Sequence, residues 1–218
     1  MANIRDYLHF RGDLSLLQDP FNEVDGLILS EISYIDYSGI VKQEPDRRVG
    51  FEEATEAFFD GKDQKDLSLG AILPDEILDL CKDAAAAPRF SGASLTAYRN
   101  VKKEGAQDSE KMQWAVLTFL LPDDSLFIAF SGTDDSLVSW KEDLDMAVED
   151  VLPSQKLAVA YINELASAYS GKLLRIGGHS KGGNIAVYSA ANCAPSVQDR
   201  ILTVYDNDGP GFSAEFLA

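Results

Sequence analysis

Histidine is nearly missing from this 218-residue chain: there are two, His9 and His179. That count bears on any general base the chain would need. Cysteine is as scarce. Cys81 and Cys193 have no C-x-x-C partner and read as small buried apolar groups in a reducing, cytoplasmic setting. Basic residues are outnumbered, with 19 Lys plus Arg against 36 Asp plus Glu, a net charge of −17 and a pI near 4.4. Such a surface repels phosphate backbones, which argues against nucleic-acid binding and against docking on anionic lipid. No apolar run approaches the roughly 20 residues of a membrane span, so no integral membrane segment is expected. Met1-Ala2-Asn3-Ile4-Arg5-Asp6 has no basic stretch leading into an apolar one, so no secretory signal is read there. Repeats, low-complexity tracts and Pro/Ser-rich linkers are also missing.

What is present suits one globular domain over residues 1–218. The chain is 45% hydrophobic and 25% charged, enough apolar surface for a sizeable core. Residues 1–90 read as mostly helix and loop. Asn22 caps a helix to Asp36, with Val24, Leu27, Ile28, Ile32 and Ile35 on one face. Phe51–Phe59 is a shorter helix, and Pro74-Asp75-Glu76 opens another. From residue 91 the pattern changes. Ser94–Asn100, Gln113–Leu121 and Ser125–Phe130 read as strands, the last two as a hairpin around Pro122-Asp123-Asp124. A helix from Pro153 to Gly171, a strand Lys172–Ile176, a helix Lys181–Ala194 and a strand Ile201–Tyr205 follow. Strand, helix, strand, helix, strand over 125–205 calls for parallel strands with helical crossovers, hence an α/β sheet.

The sharpest motif is Gly178-His179-Ser180-Lys181-Gly182, a G-x-S-x-G placed directly after a strand and before a helix. That context fits a nucleophile elbow: a tight turn that lifts the serine hydroxyl above the C-terminal edge of the sheet. Gly178 and Gly182 remove side chains that would collide there. The helix N-terminus favours a developing oxyanion, and the Lys181 N–H is placed to donate to it. A second signal is the strand Phe127–Phe130 running into Ser131-Gly132-Thr133-Asp134-Asp135, where Thr133 or Asp134 is the candidate second oxyanion donor. An acidic cluster around Asp134–Asp150 reads as a solvated face. Trp140 is a pocket candidate, and Trp114 a core residue.

These segments resemble the class 3 (fungal-type) lipases, in which a strand ending in F-x-G-T precedes G-H-S-x-G-G. More closely, Phe21–Asp25, Phe130–Asp135, Gly178–Asn184 and Asp208-Gly209-Pro210-Gly211-Phe212 are similar to an uncharacterised bacterial family, a lipase-like domain of unknown function in the α/β-hydrolase superfamily. The resemblance runs from near residue 3 to the end. It implies an α/β-hydrolase-type, mainly parallel sheet with flanking helices, and a serine nucleophile at Ser180. It implies neither a cofactor nor a metal, and no particular substrate.

One element of the pattern is missing. Hydrolases of this type order their triad Ser, then Asp or Glu, then His, and no histidine follows Ser180. His179 adjoins Ser180, so its side chain is expected to point away from the hydroxyl and pack behind the elbow. His9 lies in an N-terminal helical segment. Asp208, after the last strand, is a candidate acid and otherwise a turn carboxylate. The sheet is expected to lack its last strands, with the triad histidine and acid beyond residue 218. The expected function is a serine hydrolase of the lipase/esterase type acting on a small-molecule or lipid ester. The alternative is a catalytically silent scaffold or binding module of the same fold.

Overall fold

The computed structural model describes residues 3–62, 67, 69, 73–103, 112–132, 151–213 and 216. Among them, helices α1 (Ile4–Arg11), α2 (Glu23–Ile32), α3 (Phe51–Phe59) and α4 (Glu76–Ala86) precede most of the sheet. The strands are β1 (Arg48–Gly50), β2 (Ser94–Lys103), β3 (Met112–Leu120), β4 (Leu126–Phe130), β5 (Leu174–His179) and β6 (Ile201–Asn207). Helix α5 (Pro153–Ala168) lies between β4 and β5, and α6 (Lys181–Asn192) between β5 and β6.

The six strands form one sheet in sequence order. β1 to β4 pair antiparallel, and β4, β5 and β6 pair parallel. The expectation of a mainly parallel sheet is therefore corrected to a mixed one. Short turns join β3 to β4 as a hairpin, whereas each parallel step carries a helical crossover. The Pro122-Asp123-Asp124 turn closes that hairpin: Asp124 adopts φ +66°, and Asp123 Oδ1 accepts from the Ser125 N–H at 3.1 Å.

Both faces of the central strands are covered, which explains the unbroken apolar run of β4. Phe127 and Ala129 face a core shared with α1–α4, whereas Leu126, Ile128 and Phe130 face a second core shared with α5 and α6. Helix α2 is held at both ends. Asn22 and Asp25 form a capping box, and the fully buried Asp25 also takes the guanidinium of the fully buried Arg89. The helix stops at Ile32, short of the expected Asp36, because the Ser33 hydroxyl donates to Ser30 O and the chain leaves through successive i→i+3 turns. Among the described residues, no helix is long and apolar enough to cross a membrane.

Candidate functional site

The parallel strands β4, β5 and β6 end at one edge of the sheet, where an α/β architecture gathers its ligand sites. Register pairs Phe130 with Gly178, Gly178 with Asp206 and His179 with Asn207. Gly132, Ser180 and Asp208 thus come together just past the strand ends.

Ser180 is the turn between β5 and α6. Its backbone adopts φ +54°, ψ −129°, a region that disfavours any residue with a Cβ. The turn is pinned on both sides: the Ser180 N–H donates to Asn207 O at 2.9 Å, and its own carbonyl accepts from Gly183 N at 2.8 Å. The Asn207 side chain donates to Gly178 O at 3.0 Å and to Ser30 Oγ at 3.2 Å, tying the elbow to α2. The glycines clear the space the turn needs. A Cβ on Gly182 would lie 2.1 Å from Phe130 O, and one on Gly178 would lie 2.3 Å from the Gly182 carbonyl carbon.

Lys181 opens α6, so its N–H belongs to the helix's N-terminal donors. Its ammonium is buried and lies 3.4 Å from both the backbone and side-chain oxygens of Gln113. Thr133 and Asp134, the candidate second donors, lie outside the described residues, as do Trp140 and the acidic segment around it. The start of their loop is described: a Cβ on Gly132 would meet Tyr34 Oη at 2.2 Å and His179 O at 2.6 Å. The segment that leads into Thr133 and Asp134 therefore begins in close contact with the elbow. Trp114 is in the core, as expected.

Among the described residues, no hydrogen bond joins an imidazole to the Ser180 hydroxyl. His9 is largely exposed on α1, with Nε2 3.8 Å from Asp83. The His179 ring turns to α2, its Nδ1 3.0 Å from Tyr34 Oη and 3.4 Å from Glu31 Oε1. It is not sealed behind the elbow, because it lines a cavity of about 420 Å³ together with Ser180. Glu31 lines the same cavity with its side chain only 14% exposed, and burial raises its carboxyl above the ordinary value, partly offset by His179. Sequence reading missed Tyr34 and Glu31. One signal was available: Glu31 interrupts the apolar face of α2 between Ile28 and Ile32.

Asp208 has φ +58° and is exposed just after β6, with no histidine bonded to it among the described residues. Asp206 is a turn carboxylate, since its Oδ1 accepts from Gly209 N at 2.9 Å. Asn184, buried on α6, takes the Gln155 amide at 2.8 Å and donates to Pro210 O at 3.0 Å, which fixes the segment after β6. Both cysteines are buried and unbridged. Cys81 is fully buried and its thiol is pushed up to about 11 by that burial, and burial raises Cys193 as well. Among the described residues, no group of three His, Cys, Asp or Glu side chains is placed to hold a metal ion.

No curated protein and no solved structure matches the chain. A family model described as Mbeg1-like matches residues 84–218, more than half of the chain and the whole of the strand–helix unit around Ser180, and the chain therefore belongs to the Mbeg1-like family.

Proposed function

We propose that this chain is a serine hydrolase of the α/β-hydrolase type, acting on a carboxylic ester through an acyl-enzyme at Ser180. The observation that carries the reading is the strained Ser180 backbone, φ +54° on a non-glycine residue, at a strand–helix turn that opens on a cavity. Strain of about 1–3 kcal/mol persists only where surrounding structure over-determines it, and such sites concentrate where function needs them. In the proposed step, Ser180 Oγ attacks the ester carbonyl carbon and its proton passes to a base. The oxyanion takes hydrogen bonds from the Lys181 N–H and from an N–H of Thr133 or Asp134. The alcohol leaves with a proton, and water then cleaves the acyl-enzyme. This chemistry needs no metal and no cofactor. The proposed setting is the cytoplasm, where two buried, unbridged thiols stay reduced.

A second reading, a catalytically silent scaffold, is favoured by one observation: among the described residues, no imidazole bonds the Ser180 hydroxyl. General-base help contributes about 10²–10⁴-fold, so unaided ester turnover by these 218 residues is expected to be very low. Prolonged treatment with excess fluorophosphonate, followed by peptide mass spectrometry, separates the two. The hydrolase reading expects the adduct on Ser180 and none in Ser180→Ala. An unlabelled Ser180, or equal labelling of the alanine variant, makes the scaffold the better account.

A further inference from the structure

The cavity at Ser180 is mostly apolar but has a charged wall, and that combination selects a ligand. Ile4 of α1, Leu73 and Pro74, and Ile77 and Leu80 of α4 form its apolar side. Three ionic side chains besides His179 also line it: Arg5, Glu31 and Glu76. Arg5 is already engaged, with Nε 2.8 Å from Asp83 and Nη1 3.1 Å from Asp79. Its charge is matched by two carboxylates outside the cavity lining. Glu31 is different. Among the described residues its carboxylate receives no hydrogen bond, and the one cation near it is His179 when protonated, at 3.4 Å. That imidazole nitrogen already faces Tyr34 Oη at 3.0 Å. Burying a carboxylate with unused acceptor positions is costly unless a donor arrives to use them.

We infer that this cavity takes an apolar ligand carrying a primary ammonium group, with the ammonium received by Glu31 and the apolar body by the α1 and α4 side chains. Resting on the hydrolase reading, this names the substrate class as esters with an amine-bearing, apolar portion. Anionic ligands such as fatty acids are disfavoured, because Glu31 and Glu76 face the cavity while Arg5 is paired. The net charge of −17 concentrates cations near the surface in general, so the assignment to Glu31 needs a local test.

The test is equilibrium binding of octylammonium, 1-octanol and octanoate by isothermal titration calorimetry at fixed ionic strength, on the chain and on Ser180→Ala, Glu31→Gln and Glu76→Gln. Octylammonium is expected to bind at least about tenfold more tightly than 1-octanol, and octanoate most weakly. Glu31→Gln is expected to abolish that preference while leaving 1-octanol unchanged, and Glu76→Gln, on the exposed rim, to reduce it less. Octanoate binding as well as octylammonium, or Glu31→Gln keeping the full preference, overturns the inference. Thermal melting confirms that each variant is folded before it is titrated. Ser180→Ala is expected to keep the ammonium preference. Ammonium selectivity without fluorophosphonate labelling sinks only the hydrolase reading, and labelling without selectivity sinks only this inference.

Discussion

At the scale of single residues, strain and burial set the expectations. Ser180 carries a Cβ at φ +54°, where glycine rests at little cost. Ser180→Gly is expected to raise the unfolding free energy by about 1 kcal/mol, and Ser180→Ala to leave it nearly unchanged. Urea melts of both variants measure this, and no gain for glycine means the turn is not strained. Arg89 and Asp25 are both fully buried and pair side by side. Removing one partner strands the other charge, so Asp25→Asn or Arg89→Met is expected to cost about 3–5 kcal/mol by the same measurement. Glu31 behaves in the opposite sense. Its folded-state carboxyl is raised by burial, so the native state holds that proton to higher pH than the unfolded chain does. Stability from this group therefore falls as pH rises through the raised value, and Glu31 costs stability at neutral pH. Glu31→Gln is expected to be stabilising at pH 7 and neutral near pH 3, below the ordinary value of about 4.3. An equal effect at both pH values refutes the assignment.

At the scale of elements, the decisive contacts are backbone to backbone. α6 lies so close to the end of β4 that a Cβ on Gly182 would fall 2.1 Å from Phe130 O, and neither backbone can yield like a side chain. Gly182→Ala is expected to cost about 1–3 kcal/mol or more, read from the denaturation midpoint. Wild-type stability in that variant would show that the elbow is looser than described. The elements around the elbow were legible because their signals are local. Pro153 opens α5, the apolar run of β4 ends in Ser131-Gly132, and G-x-S-x-G joins β5 to α6. β1 was not legible: three residues, Arg48-Val49-Gly50, carry no periodicity and are a strand only because β2 pairs with them. β6 extends two residues past Tyr205, and the last of them, Asn207, accepts the Ser180 N–H. Asn207 is polar, so an apolar-run reading stops before it.

At the scale of the whole molecule, the charge of −17 acts as self-repulsion of the compact state. Raising ionic strength from about 10 mM to about 150 mM shortens the screening length from about 30 Å to about 8 Å. The melting temperature is expected to rise over that range in calorimetry, and a flat or falling trend would mean that paired charges outweigh the repulsion. The two cores share the sheet, and among the described residues the one on the α1–α4 side borders the cavity at Ser180. Helix α2 and the turn after it join that core to the elbow, with Gly26 against the Tyr205 ring, Ser30 bonded to Asn207, and Glu31 and Tyr34 beside the elbow.

The sequence by itself determined the α/β class, the parallel strand–helix unit over β4 to β6, and the position of Ser180 in its turn. Each of these rests on periodicity, glycine placement or a short motif, all of which act over a few residues. Only the tertiary structure decided that β1 and β2 also pair antiparallel beside the β3–β4 hairpin, and that His179 turns to Glu31 and Tyr34. It alone set the cavity between α1, α4 and the elbow. Those features join residues distant in the chain, 48 positions for Arg48 and Thr96 and 145 for Tyr34 and His179, and no local pattern encodes which distant face a side chain will meet.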